Sequence, residues 1–325
     1  MTSLSQRLAH QLPDWARRNH PALRYELGAP VKRSAQSRYL RALGLVIGLL
    51  VLGVAGYAIA TGLGFREAGS NPLEALQNTL YWPTLILQLV LIAAAFSMTI
   101  GKVARETRRL NWDNFRATPD GADLTLRARW AAVFYRLRGL LIIVIAVRIV
   151  LLIGLLWDLT AFQGRYLDLL ISGITPDLGM VAAILLLSLT MTASLLLPVT
   201  SVGLNAALGL LISTGVRQGV YTTLVQVVYI LLRVGLAVAL LWGATRFMGG
   251  SLAFSDAGAW LLLFAAAALG DWGLALLSLG FAGELWVIVP FGIFIGVGLL
   301  IFALVEAALA DQLLNWAVRR AQKAE

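Results

Sequence analysis

Four charged residues interrupt otherwise apolar runs: Arg148, Arg233, Asp271 and Glu306. A guanidinium at the bilayer midplane costs ~2.5 to over 10 kcal/mol, so it faces protein or water and takes a partner. Asp271 and Glu306 are the acids at comparable depth. Two readings follow, a permease pathway lined by these charges or a structural ion pair. Other chemistry is excluded by residue type. The chain has no cysteine, so disulfides, iron–sulfur clusters, thiolate metal sites and cysteine nucleophiles are out. Its two histidines, His10 and His20, both precede the first apolar run, which argues against haem ligation and Ser-His-Asp catalysis. No nucleophile–base pair, metal set or cofactor motif stands out, and an intramembrane enzyme is the weakest reading. No GxxxxGK[ST] motif is present, so ATP binding through a P-loop would fall to a separate subunit.

The elements that hold these charges are membrane spans. Hydrophobic residues make up 59% of the 325, and charged residues only 13%, about half the share in a soluble domain. A span needs about 20 apolar residues. Runs at 42–65, 80–101, 139–157, 178–216, 218–245 and 285–305 predict six. The fourth run is longer than one span needs and contains Pro198, which predicts a helix kinked or broken there. Residues 257–270 and 272–283 flank Asp271, and each half would reach only about 21 Å or less as a helix. With the turn signal Gly270-Asp271-Trp272-Gly273 they predict a re-entrant hairpin over 257–283. One continuous helix with a Gly-Asp defect is the alternative. The fold class is therefore all-α and polytopic, a single transmembrane domain over 42–310 between a segment 1–41 and a tail 311–325.

The net charge of +9 could signal nucleic acid, but the basic residues bracket apolar runs, which favours a membrane and no nucleic acid. Eight Lys and Arg precede the first span and nine lie between the second and third, whereas the loops on the other side hold Arg66, Arg165 and Arg246. Six spans put both termini in the cytoplasm, as in a multi-pass protein of the bacterial inner membrane; a seventh would place the basic tail outside. Trp82, Trp157, Trp242 and Trp286 sit near span ends as interfacial anchors. The first apolar run starts near Leu43, too late for a signal peptide. Gly44 with Gly48, and Gly292 with Gly296, have the spacing that permits close helix contact, weak support for a dimer.

Two cytoplasmic segments carry more detail. Before the first span, Pro13, Pro21 and Pro30 separate short helical pieces, and Leu4, Leu8 and Leu12 recur at helical spacing; an interfacial elbow is expected. The alternative is a floppy basic tail. Between spans two and three, a coupling loop over 102–138 holds a short helix with Trp112 and Phe115, a turn at Pro119-Asp120-Gly121, and an amphipathic helix for which Asp123 suits the N-cap. An exposed aromatic pair on a basic helix points to a docked partner. Dipping into lipid headgroups is the competing explanation.

Glu106, Trp112, Asp113, Ala117, Thr118 and Pro119 resemble the coupling-helix pattern of ATP-binding-cassette (ABC) exporter permeases of the type-2 class. The opening Asn19-His20-Pro21 with Glu26-Leu27 is similar to the start of such permeases. The layout is similar too, with an N-terminal interfacial helix, six spans, a cytoplasmic coupling helix and an outer re-entrant hairpin. Leu110-Asn111, Asn114, Arg116 and Ala128-Arg129 depart from the family pattern. The resemblance implies a permease subunit that pairs with a second permease copy or a related permease, contacts membrane lipids and is driven by a cytoplasmic ABC ATPase. A structural subunit that kept the permease fold and lost transport is the alternative.

Overall fold

The computed structural model describes residues 12–28, 54, 72–101, 121–160, 180–216, 218–248, 257–269 and 292–323. Among them every regular element is helical. A 3-10 turn at Asp14–Ala16 precedes α1 (Pro21–Leu27). The long helices are α2 (Pro72–Ile100), α3 (Gly121–Thr160), α4 (Met180–Gly215) and α5 (Gly219–Met248), followed by the short α6 (Ala257–Leu269) and by α7 (Gly292–Lys323).

Four of these carry a stretch long and apolar enough to cross a membrane: Pro83–Ile100, Ser188–Gly215, Gly219–Gly243 and Gly296–Gln322. The protein is therefore membrane-embedded. Helix is the form such segments must take, because lipid offers no partner for a backbone N–H or C=O. Of the expected spans, 80–101 falls in α2, 178–216 in α4, 218–245 in α5, and the second half of 285–305 in α7. Helix α6 is described over 13 residues, Ala257–Leu269. It coincides with the first half of the expected hairpin. The return half, with Asp271, lies outside the described residues, as does the first expected span, with Gly44 and Gly48, apart from Val54.

Three expectations change. Helix α4 is not broken at Pro198, and the carbonyl that this proline releases finds a partner outside its own helix. Helix α3 begins at Gly121, so Asp123 lies in its first turn and pairs with Arg127 four residues on, at 2.8 Å, instead of capping. Helix α7 continues without a break across residue 310 to Lys323, and its last turns bury Leu314, Ala317, Val318 and Ala321 against α3 and α4.

Packing divides the bundle into layers. Leu85, Leu152, Leu197, Leu240, Ala267 and Leu299 belong to an apolar cluster that joins α2, α3, α4, α5, α6 and α7. A second cluster, with Leu91, Val133, Val144 and Val202, joins α2, α3 and α4. Helices α4 and α7 form the most extensive pair. Helix α5 stands apart: only 11% of its apolar stretch is buried, against 61% for α2.

Candidate functional site

Arg148 is fully buried on α3, and its Nη1 donates to the carbonyl of Ser194 at 2.5 Å. The reason is covalent. Pro198 has no N–H, so the carbonyl four residues before it, that of Ser194, has no helical donor. Arg148 supplies one. Charge alone asks for an acid beside Arg148; a proline-released carbonyl meets part of the need, and Pro198 at i+4 from Ser194 is the signal for it in the sequence. Tyr81 of α2 lies within electrostatic range of the same guanidinium.

About two turns along α4 lies the second polar layer. Glu306 of α7, 3% exposed, accepts from Thr200 Oγ1 at 2.7 Å and from Ser201 Oγ at 3.1 and 3.0 Å. Asn205 Nδ2 donates to the Ser201 carbonyl at 2.6 Å, and the Tyr229 hydroxyl donates to Asn205 Oδ1. The Tyr229 ring stacks on Phe96, with centroids 3.9 Å apart. Arg233, one turn further along α5, lies within electrostatic range of both Glu306 and Tyr229. On the other side of Tyr229, Gln226 Nε2 donates to Ser97 Oγ at 2.9 Å. Gln226, Tyr229 and Arg233 recur at i, i+3 and i+7, one face of α5. Ser194, Ser201 and Asn205 recur at i, i+7 and i+11 on α4. These two faces escape a reading that singles out charges and passes over neutral polar residues at the same spacing.

Of the expected intramembrane charges, Glu306 and Arg233 share this layer, Arg148 occupies its own, and Asp271 lies outside the described residues. The expected coupling residues Glu106, Trp112, Asp113, Phe115, Thr118 and Pro119 also lie outside them. Gly292 opens α7, and Gly296 is buried on it.

A third polar assembly ties the N-terminal elbow to α3. Pro21 occupies the first turn of α1, where its missing N–H costs nothing, and Gly28 closes the helix at φ 79°. Leu23 is fully buried against Ala131 and Ala132. Beside it Glu26 Oε1 meets Arg129 Nε at 2.6 Å, both side chains almost wholly buried. Arg136 Nη2 donates to the Glu26 carbonyl at 2.6 Å, and the Tyr135 hydroxyl to that of Ala16 at 3.0 Å. Trp130 donates Nε1–H to the Gly203 carbonyl at 2.9 Å, which links this assembly to α4. On a different side of α3, Arg127 reaches Asn315 of α7 at 2.8 Å. The elbow thus sits on protein, and the departure at Arg129 has a partner in the opening motif.

Chemically, the bundle interior offers hydroxyls, amides, a carboxylate and two guanidiniums, groups that bind and pass polar atoms. No group of three His, Cys, Asp or Glu able to hold a metal occurs among the described residues. The chain matches no family model, no curated protein and no solved structure.

Proposed function

We propose that this chain is the membrane-spanning permease subunit of an ABC exporter of the type-2 class. It would work as one of two permease copies and be driven by a separate cytoplasmic ATPase. Six spans with an outer re-entrant hairpin, both termini in the cytoplasm and a bacterial inner-membrane location belong to this proposal. The observation that carries it is the course of α3. This helix starts at Gly121, directly after the loop that resembles a coupling helix, and continues as one rod of 40 residues, about 60 Å. Its base holds the elbow through Glu26 and Arg129, and at depth it holds α4 through Arg148 and Ser194. A displacement of residues 112–119 by a docked ATPase is carried along that rod to the polar faces of α4 and α5.

The roles divide by position. Trp112 anchors the partner, and Pro119 limits the turn through its locked φ and missing N–H. Arg105, Arg108 and Arg109 flank the anchor and meet lipid phosphate or an acidic rim of the partner. Glu306, Ser201, Asn205 and Arg233 line the path whose exposure alternates between the two sides.

The test is co-purification of an ATPase with the wild-type chain and with Trp112→Ala in matched detergent. The expected result is an ATPase bound to wild type and lost from the variant. An ATPase retained by Trp112→Ala leaves the aromatic pair to lipid headgroups. No ATPase with either protein favours a structural subunit of a larger membrane complex.

A further inference from the structure

The elbow at residues 12–28 turns its acid inward and its base outward. On α1, Glu26 is buried with Leu23, whereas Arg24 and Tyr25 are exposed, Tyr25 at 67%. The elbow has two acids and both are taken, Asp14 by Arg17 at 2.7 Å and Glu26 by Arg129. Arg18 and Arg24, and Arg138 of α3, are exposed and make no ion pair or side-chain hydrogen bond among the described residues. The surface charge left over is therefore positive. Leu12, also exposed, is tied to the elbow by Arg17, whose Nε donates to its carbonyl at 3.1 Å. Helix α3 shows the level at which this surface sits. Its exposed side chains change from Arg136 and Arg138 to Ile142, Ile149, Val150 and Ile153 across Gly139. On a membrane-embedded helix exposed apolar side chains face acyl chains, and arginines at the end of such a stretch reach the headgroups. The elbow packs on α3 at Ala131 and Ala132, and Arg136 bonds the Glu26 carbonyl. At ~1.5 Å per residue those positions lie about 5–10 Å along α3 from Gly139, at the level of the headgroups.

We propose that the outer face of the elbow is a docking surface for anionic phospholipid, with Arg18, Arg24 and Arg138 on lipid phosphates and Leu12 and Tyr25 against the glycerol and upper acyl carbons. A guanidinium takes a phosphate through two parallel N–H bonds. A phenol ring has one apolar and one wet end, as this boundary requires. An acidic protein segment answers the arginines but does not supply the apolar layer that Leu12 and Tyr25 meet at this level. A free phosphate ion leaves those two side chains in water. With both elbow acids already paired, nothing on this face repels negative charge, so lipids of net negative charge are preferred to zwitterionic ones. Through Glu26 and Arg129 the lipid then steadies the base of α3. None of this depends on transport.

Phenylglyoxal modifies accessible guanidiniums, and mass spectrometry reads the rate at each arginine. The full chain is compared in nanodiscs of phosphatidylcholine alone and of phosphatidylcholine with an equal part of phosphatidylglycerol. The expected result is a several-fold slower modification of Arg18, Arg24 and Arg138 in the anionic discs. Arg127, which is held by Asp123 and Asn315, should keep its rate. Equal rates at Arg18, Arg24 and Arg138 in the two discs overturn the proposal and leave this face to an acidic protein partner. Slowing of Arg127 by the same factor overturns it as well, because the effect is then not local to the elbow. Protection reproduced in phosphatidylcholine discs by inorganic phosphate also overturns it, since a small anion then suffices. The comparison uses the wild-type chain throughout, so no variant has to fold.

Discussion

Glu26 and Arg129 form a buried pair between segments 103 residues apart. Each charge gave up its water to enter the interface, so removing one member leaves the other without its counter-charge at a cost of ~3–5 kcal/mol. Glu26→Ala should therefore lower the thermal midpoint strongly and release the elbow to protease. The double variant Glu26→Leu with Arg129→Met should recover most of the loss, because it removes both desolvated charges together. Limited proteolysis around residues 12–28 in nanodiscs checks both outcomes; equal sensitivity in single and double variants would refute the pairing. Glu306 obeys a different rule. Its carboxylate accepts from two hydroxyls, and an amide oxygen can keep part of that, so Glu306→Gln should be the milder change. Glu306→Leu removes the acceptor from Ser201 and Thr200 and should cost ~1–3 kcal/mol, read as a lower midpoint. Similar midpoints for the two variants would show that the hydroxyls return to their own helix, where Thr200 already lies 3.2 Å from the Leu197 carbonyl.

At the scale of elements, close approach rests on glycine. A Cβ on Gly209 of α4 would collide with Thr99 Oγ1 and stand 2.9 Å from the Phe96 carbonyl oxygen of α2. Small residues let membrane helices touch backbone to backbone, where dispersion and not hydrophobicity drives association. Gly209→Ala should push α2 from α4 and destabilise by ~1–3 kcal/mol. At Gly235 of α5 a Cβ would meet nothing within 4 Å, so Gly235→Ala should be neutral or stabilise by ~0.5–1 kcal/mol, since alanine loses less backbone freedom in a helix. Thermal unfolding of the two variants side by side is the check. A destabilisation by Gly235→Ala as large as that by Gly209→Ala would mean that α5 is covered by another chain.

At the scale of the molecule, the basic residues set orientation. The segment around Arg129 and Arg136 and the end of α7 around Arg319 and Arg320 lie at one end of the bundle, where α3 and α7 pack together. Positive charge is retained on the cytoplasmic side during insertion, so both should face the cytoplasm. A reporter pair fused after residue 325, one active only in the cytoplasm and one only outside, should read cytoplasmic. An external reading would remove the six-span arrangement and with it the cytoplasmic docking of an ATPase.

Residue types and run lengths alone determined that the chain is helical and membrane-embedded, because apolar runs of about 20 residues suit a spanning helix and exceed what a barrel strand needs. They also singled out Arg148, Arg233 and Glu306, since charge in or beside an apolar run is conspicuous. The apolar run at 257–270 coincides with helix over Ala257–Leu269. Partners were decided only by tertiary structure. Arg148 bonds the Ser194 carbonyl because Pro198 on the same helix released it, and Glu306 meets Thr200 and Ser201 because α7 packs along α4. Glu26 meets Arg129 because α1 folds back onto α3. Each of these depends on the rotation of one helix against another, which small side chains such as Gly209 and Ala206 set by contact. Periodicity within a single helix shows which residues share a face, but it carries no information about what that face meets.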